Sequence, residues 1–240
     1  MKYLNFKLLE LTKGTNLEYF ERELETVLVI INGSCVVELA DKKVKLVRRD
    51  VFLDKAGAVY VPLGMTVTIK ADMETTIAAC RAQATDIHPH AVILPEAITE
   101  EWRGKDGYRR RVFNIVNTET KTHRLAVGET INEPGQWSSF PPHKHDDRME
   151  VDGTLVEVPL EEIYYFRIEP KKSFAFQRLY TKDGTVDRNI SIRDGSVVEI
   201  ERGYHPVVSQ PGSHVYYLWM LAGDERTYIW NTDPDYRHLL

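Results

Sequence analysis

The sequence predicts an all-β protein built from two related β-barrels. Short runs rich in Val, Ile, Tyr and Phe recur along the 240 residues, and pairs of Gly, Pro, Asn and Asp separate them. Such runs bounded by turn residues are typical of strands. Amphipathic helical periodicity is scarce, and two distant segments align with each other, which indicates an internal duplication.

The clearest predicted hairpin lies in the first half of the chain. Residues 26–31 and 35–39 are strand-like and flank Asn32-Gly33. An Asn-Gly pair readily adopts the positive φ angles of a type I′ turn, so these runs should pair as two antiparallel strands. In the second half, residues 182–184 and 193–195 both read as turns that contain Asp-Gly.

A connector is expected at residues 84–111, between the two halves. Its best helix candidate is the short stretch 95–102, which begins at a proline. The connector also carries His88-Pro89-His90. Because proline cannot donate to a strand ladder, we interpret this pair of histidines as part of a surface loop rather than of a metal site.

The internal alignment pairs residues 58–67 with residues 197–206 without gaps. Each segment reads as a strand, a glycine turn and a second strand. In this alignment Thr66 occupies the position of His205. The first copy therefore lacks the histidine that the second copy carries.

A second correspondence involves two glutamates. Glu25 begins one strand-like run, and Glu162 begins the matching run in the other half. We therefore predict an N-terminal domain without a metal site, plus the connector, at residues 1–108, and a metal-binding domain at residues 109–240.

Charge and composition exclude some classes of binding partner and favour one cellular compartment. The chain has 31 basic and 36 acidic residues and a net charge of -5, so we expect neither nucleic acid nor an anionic membrane as a partner. No signal peptide is visible, and no apolar run approaches the roughly 20 residues that a bilayer requires. Cys35 and Cys80 have apolar neighbours and read as small buried side chains, which favours a reducing, cytoplasmic setting.

Three histidines form the strongest functional signal. Residues two apart in a strand point to the same face, so His143 and His145 of the His-Lys-His motif can reach one ion. His205 follows Gly203-Tyr204 in another strand-like run. Neutral imidazoles suit zinc, iron, copper or nickel, and one carboxylate would complete a mixed site.

Three glutamates compete for the carboxylate position. A metal centre of the cupin type takes two histidines from one strand, a carboxylate from the next and a last histidine from a third. This order favours Glu162, which leads into a strong strand, and therefore predicts two tandem cupin barrels, jelly-roll-like, with few short helices. Glu150 remains an alternative, whereas Glu161 should face away from the interior by strand alternation.

Several long motifs occur in the same order as in a known enzyme family. They closely resemble the 5-deoxy-glucuronate isomerase family, densely from about Arg109 to the C-terminus. These motifs lie at residues 127–129, 137–146, 160–166, 174–180, 193–195, 202–207 and 216–223.

The resemblance implies a bicupin isomerase of myo-inositol breakdown that converts 5-deoxy-D-glucuronate into 5-dehydro-2-deoxy-D-gluconate. It implies a divalent ion, with zinc expected and manganese or iron as alternatives, and a metal-stabilised enediolate. The family's metal ligands carry over to His143, His145, Glu162 and His205.

Residues for substrate binding follow from strand alternation. Tyr164 should share the interior face with Glu162, which makes it a candidate for both catalysis and substrate binding. Arg178 should face inward and could bind a substrate carboxylate through its planar fork. Gln177 lies on the opposite face and would serve only if the strand were turned the other way.

Other functions remain open at this point. A neighbouring family isomerises a 5-keto-4-deoxyuronate with a similar ligand set, a non-catalytic sugar-binding bicupin would use the ion structurally, and a cupin dioxygenase would need ferrous iron. The expected partners are a small sugar acid and further copies of the chain in a homo-oligomer.

Overall fold

The computed structural model describes residues 1–117 and 119–240, and almost all of its regular elements are strands, which confirms the all-β prediction. The chain forms two compact units. The N-terminal unit comprises Tyr3–Thr99 and Phe113–Gly128, and the C-terminal unit comprises Met1–Lys2, Glu100–Val112 and Glu129–Leu240. The predicted domain division between residues 108 and 109 stays a prediction.

The first strands all belong to the N-terminal unit and pair antiparallel. In chain order they are β1 (Leu4–Leu11), β2 (Asn16–Phe20), β3 (Leu24–Glu38), β4 (Lys43–Arg48), β5 (Ala58–Val61), β6 (Thr66–Ala71), β7 (Thr75–Gln83) and β8 (Ala91–Ile93). The path β1-β7-β3-β5-β8 forms one sheet, while β4 and β6 pair with the second half of β3. The core between them contains Leu28, Ile30, Val37, Leu46, Ile69 and Ile77.

The hairpin predicted at Asn32-Gly33 is wrong, because residues 24–38 form one continuous strand. The register with β7 shifts between Ile30 and Asn32, and Gly33 has a φ of 103°. A bulge of this kind bends a strand. Before it β3 pairs with β5 and β7, and after it β3 pairs with β4 and β6. The glycine therefore lets one strand serve two sets of partners.

Gly33 is the position where we expect the bulge to be most sensitive. A Cβ at Gly33 would lie 2.4 Å from the carbonyl oxygen of Glu74, in addition to the positive φ. We expect Gly33→Ala to lower the free energy of unfolding by about 2–4 kcal/mol, measured by urea denaturation. Gly14→Ala is the matched control, because Gly14 has a φ of 85° but open space around its Cβ position. Equal losses in both variants would contradict the steric explanation.

The connector contains no α-helix at residues 95–102, so that prediction is wrong. A 3₁₀ turn spans Pro95–Ala97, and strand β9 (Thr99–Arg103) follows directly. Hydrogen bonding of β9 to β10 (Arg110–Val116) satisfies its backbone and outweighs the helical preference. The His88-Pro89-His90 segment lies outside any strand, as predicted, and His90 pairs with Asp41 at 2.9 Å.

The second half of the chain is equally rich in strands. After β10 they are β11 (Ala126–Asn132), β12 (Trp137–Ser138), β13 (His143–Lys144), β14 (Met149–Val151), β15 (Thr154–Glu157), β16 (Leu160–Glu169), β17 (Ala175–Tyr180), β18 (Asp187–Ile192), β19 (Val197–Ile200), β20 (Val207–Ser209), β21 (His214–Gly223) and β22 (Asn231–Thr232). A final 3₁₀ segment spans Pro234–Leu239. Strand β16 pairs with β19 on one side and with β21 on the other.

Two sheets of the C-terminal unit share one core. The order β19-β16-β21-β11-β10-β9 gives one sheet, and β12-β20-β17-β18 gives another. Phe166 of β16, Ile192 of β18 and Val215 of β21 are fully buried in the same cluster. Burial of such a side chain contributes about 1.5–3 kcal/mol. Because alternate residues of a strand share a face, the face of β16 that carries Phe166 also carries Tyr164 and Glu162.

The predicted turns and repeats are present. Gly184 and Gly195 have φ angles of 70° and 84°, which confirms both Asp-Gly turns. Residues 58–71 and 197–209 each form a strand, a glycine turn and a second strand, as the internal alignment predicted. Cys35 and Cys80 are buried free thiols. Over the described part of the chain, no helix is long and apolar enough to cross a bilayer.

Candidate metal centre

The His-Lys-His motif lies on a short strand that is held from both sides. His143 and Lys144 pair with Thr232 and Asn231 of β22. His145 follows the strand, and its backbone carbonyl accepts a hydrogen bond from the backbone N–H of Leu160 at 2.7 Å. The side-chain Nδ1 of His145 in turn lies 2.9 Å from the Leu160 carbonyl oxygen. These two hydrogen bonds fix His145 against Leu160, the first residue of β16.

His205 is set by the glycine turn that precedes it. Its Nδ1 lies 3.0 Å from the carbonyl oxygen of Gly203. The backbone N–H of Gly203 donates to Asp146 Oδ2 at 2.7 Å, which links this turn to the residue after His145. A Cβ at Gly203 would lie 2.6 Å from the carbonyl oxygen of Tyr180, and Gly203 has a φ of 96°. Only glycine fits this conformation and this close approach.

Glu162 lies between two of the histidines. Its Oε2 is 3.1 Å from Nε2 of His145 and 3.2 Å from Nε2 of His205. The carboxylate and both imidazoles are buried. The structure therefore brings together residues from β16, from the end of β13 and from the turn before β20.

The hydrogen bonds of the two rings determine where their protons are. Each Nδ1 faces a backbone carbonyl, which can only accept, so each neutral ring carries its proton on Nδ1 and a lone pair on Nε2. Nε2 of His205 accordingly makes no hydrogen bond, although the Glu162 oxygen is near. Two lone pairs and a carboxylate that face one another repel unless a cation or an added proton lies between them. This donor set fits a divalent ion.

His143 completes the group. One ring nitrogen from each of His143, His145 and His205 lies within 4.8 Å of the others. The three histidines can therefore hold a metal ion, and nitrogen donors with one carboxylate suit zinc, iron or manganese.

The protonation states also suit a ligand cluster. Burial, together with the two neighbouring histidines, keeps the pKa of His143 well below its usual value. Burial opposes ionisation of Glu162, but interaction with the neighbouring imidazoles of His145 and His205 outweighs burial and lowers the pKa of Glu162 to about 2. Burial likewise opposes a charge on His145, yet the Glu162 carboxylate raises its pKa. A neutral His143 and an ionised Glu162 are the forms that bind metals.

A cavity of about 450 Å³ opens onto this cluster, within the C-terminal unit. Its wall includes Tyr164, whose hydroxyl lies 3.0 Å from Ser139 Oγ. Burial and the nearby Glu162 carboxylate raise the pKa of Tyr164 well above its usual value. The phenol therefore stays protonated at neutral pH. Trp219, Leu221 and Trp230 give the cavity an apolar lining.

The orientation predicted for β17 is wrong. Arg178 points outward, is about 43% exposed and forms an ion pair with Asp187 at 3.1 Å. Gln177 is fully buried instead, and its Nε2 donates to the carbonyl oxygen of His205 at 3.3 Å. Backbone pairing of β17 with β18 and β20 sets this face. Gln177 thus supports the turn that carries His205, and Arg178 lies outside the cavity.

The competing carboxylates lie away from the histidines. Glu150 is exposed on β14 and lies 3.7 Å from Arg148. Glu161 faces away from the interior, as predicted, and accepts a hydrogen bond from the backbone N–H of Lys2. Lys144, between the two motif histidines, pairs with Asp146 at 2.5 Å and with Glu157 at 2.6 Å.

Sequence reasoning missed the cationic residues of the cavity wall, which are Arg103, Lys105 and Arg110. Residue 110 falls within the expected connector, yet Arg110 begins β10, and both Arg110 and Val112 line the cavity wall. The available signal was strand alternation within Arg109-Arg110-Arg111, because only the middle arginine shares a face with Val112.

Solved structures share this architecture. An IolB-like protein from Salmonella typhimurium LT2 superposes with a TM-score of 0.93 and 31% identity, over 99% of this chain and 90% of that chain. A Lactobacillus farciminis oxalate decarboxylase, solved as a formate complex, superposes with a TM-score of 0.68 and 10% identity, over 97% of this chain and 80% of that chain. The second likeness is one of fold, and together they confirm the predicted bicupin class.

Relatives match over nearly their whole length. A protein named 5-deoxy-glucuronate isomerase from Geobacillus kaustophilus is 35% identical over 98% of this chain and 85% of the relative. One of the same name from Listeria monocytogenes serotype 4b is 34% identical over 100% of this chain and 88% of the relative. Residues 1–239 also match the sequence model of the KduI/IolB family. The chain therefore belongs to the KduI/IolB family.

Proposed function

We propose that this protein is a 5-deoxy-glucuronate isomerase, which converts 5-deoxy-D-glucuronate into 5-dehydro-2-deoxy-D-gluconate, a step of myo-inositol breakdown. The observation that carries the proposal is a group of three imidazoles and a carboxylate at a cavity, in a chain whose full-length relatives bear this name. The cavity volume of about 450 Å³ lies in the range typical of small-molecule sites. The expected homo-oligomer stays a prediction.

We assign the metal ligands to His143, His145, Glu162 and His205, with zinc as the expected ion and manganese or iron as alternatives. Bound there, a divalent ion would act as a Lewis acid that stabilises negative charge on two neighbouring substrate oxygens. The carbonyl groups of Leu160 and Gly203 hold the rings of His145 and His205 in the orientation that turns both Nε2 atoms toward the centre.

The isomerisation moves a proton from the carbon that bears the hydroxyl to the aldehyde carbon. Tyr164 can only donate in this step, because its raised pKa keeps the phenol protonated. Its hydroxyl is held by a hydrogen bond with Ser139 Oγ, and when Ser139 donates in this bond the phenol proton is available to the cavity. Trp219 and Leu221 line the same cavity, and an apolar wall of this kind would strengthen the electrostatic interactions of the reacting oxygens.

Removal of the ion tests the proposal directly. We expect the purified protein to interconvert the two sugar acids, followed by NMR, and a chelator to lower the turnover number by roughly 10²-fold or more. Circular dichroism should show an unchanged β-sheet content, because two hydrophobic cores hold the strands. Added zinc, manganese or iron should restore activity to different extents and so identify the ion.

Two outcomes would reject the proposal. Full turnover in protein shown to be metal-free would remove the ion from the reaction. Turnover of a 5-keto-4-deoxyuronate in place of 5-deoxy-glucuronate would assign the protein to the other isomerisation.

A further inference from the structure

We propose that Arg110 binds the carboxylate of the sugar acid and so selects acidic over neutral sugars at this cavity. The inference rests on the proposed function for the identity of the substrate, but not for the class of ligand. Arg110 lies at the start of β10 and lines the cavity together with His143 and Tyr164.

The guanidinium of Arg110 has no acidic partner among residues 1–117 and 119–240. Its Nη1 donates to the carbonyl oxygens of Phe140 at 3.0 Å and Tyr108 at 3.2 Å, which positions the group without neutralising it. Among the described residues these two carbonyl oxygens are the hydrogen-bond partners of the guanidinium, and Arg110 lines the cavity wall. Burial lowers the pKa of Arg110, which reflects the cost of holding this charge away from water. A partly buried cation without an acidic partner favours the binding of an anion.

The other arginines of the neighbourhood are already engaged. Arg103, at the cavity wall, forms an ion pair with Glu101 at 2.7 Å. The guanidinium carbons of Arg109 and Arg111 lie 4.3 Å and 5.7 Å from the Trp102 ring centroid. Strand alternation therefore sends the two flanking arginines to Trp102 and the middle one to the cavity.

A glycine makes room for this arrangement. A Cβ at Gly104 would lie 2.8 Å from Nη1 of Arg110 and 2.2 Å from the carbonyl oxygen of Tyr108, and Gly104 has a φ of 85°. The loop thus brings its backbone against the guanidinium and fixes the direction of the planar fork. A planar fork that is fixed in this way suits a carboxylate, which it can bind through two parallel hydrogen bonds.

The position of the charge also fits the reaction. Arg110 is near enough to the histidines that its charge helps to lower the pKa of His143, after burial and the two other rings. A sugar acid carries its aldehyde and its carboxylate at opposite ends of a six-carbon chain. Because Arg110 and the histidines line the same cavity, a sugar acid with its carboxylate on Arg110 can direct its aldehyde end to the histidine cluster.

D-glucuronate and D-glucose differ only at the sixth carbon and provide the test. We expect calorimetry on the metal-loaded protein to show that glucuronate binds roughly 10- to 100-fold more tightly than glucose. Arg110→Gln should abolish this preference, and Arg110→Lys, which keeps the charge but not the fork, should retain part of it. Arg178→Gln, which removes an exposed arginine outside the cavity, should leave the preference unchanged.

A merely structural role for Arg110 predicts a different result. Loss of the bonds to Phe140 and Tyr108 would then weaken both sugars equally, and that outcome would overturn the proposal. Equal binding of the two sugars to the wild type would overturn it as well. Because binding is measured without turnover, a wild type that prefers glucuronate but fails to isomerise 5-deoxy-glucuronate would reject the proposed function while the assignment of Arg110 stands.

Discussion

His205→Ala should remove the bound ion and lower the turnover number by roughly 10²- to 10⁴-fold, since a Lewis acid contributes several kcal/mol to such a reaction. The side chain is fully buried, and its Nε2 faces Glu162 at 3.2 Å with no hydrogen bond of its own. A cation between His205 and Glu162 would give this buried nitrogen the partner that it lacks. Metal content by mass spectrometry and turnover should fall together.

A second histidine provides the matched control for this variant. His214 lies at the start of β21, is about 42% exposed and pairs with Glu133 at 3.3 Å. We expect His214→Ala to keep both the ion and the activity. If His205→Ala retained a full equivalent of metal and normal turnover, the ligand assignment would be wrong. Thermal unfolding shows whether the variant has lost its fold or only its ion. We expect the fold to persist, because Gln177 donates to the backbone carbonyl of residue 205 and Gly203 donates to Asp146, and neither bond involves the substituted side chain.

The parts of the site that could be predicted are those with a local signature. Two histidines with one residue between them share a strand face wherever that strand lies, and a glycine before His205 marks a tight turn. Glu162 was preferred over Glu150 because a strong strand follows it, and the structure gives the reason, since β16 is paired on both sides whereas Glu150 sits on the exposed β14.

The wrong predictions concern segments whose structure depends on pairing with strands that are distant in the sequence. Asn32-Gly33 has the local preference of a hairpin turn, but pairing partners on both sides of it keep β3 continuous. Alternation along β17 was predicted correctly in its period and wrongly in its face, because the face depends on the register with β18 and β20. Arg110 was missed for a related reason, since alternation shows that it shares a face with Val112 but only the pairing of β10 shows which way that face points.

The two aligned glutamates show how one residue type can serve opposite purposes. Glu25, in the N-terminal unit, is fully buried, and its carboxylate accepts hydrogen bonds from the backbone N–H groups of His123, Arg124 and Leu125 and from the Tyr60 hydroxyl, at 2.6–2.9 Å. These donors satisfy the charge without any ion. Glu162 instead faces the Nε2 atoms of two imidazoles, which carry lone pairs when both rings are neutral. The groups that surround a buried glutamate therefore decide whether its charge is balanced by hydrogen-bond donors or by a bound cation.

Identical substitutions at these glutamates should therefore have unequal effects on stability. Glu25→Gln keeps the volume but turns amide hydrogens toward backbone N–H donors, and we expect it to cost about 3–5 kcal/mol of unfolding free energy. In metal-free protein, at a pH above the raised pKa of His145 so that the imidazoles are neutral, Glu162→Gln should cost less than about 1 kcal/mol, because its amide can donate to the lone pairs of the two Nε2 atoms. Urea denaturation of both variants after chelation measures the difference. Equal costs would mean that Glu162 is held by the protein alone, and the electrostatic case for a cation between His145 and His205 would fail with it.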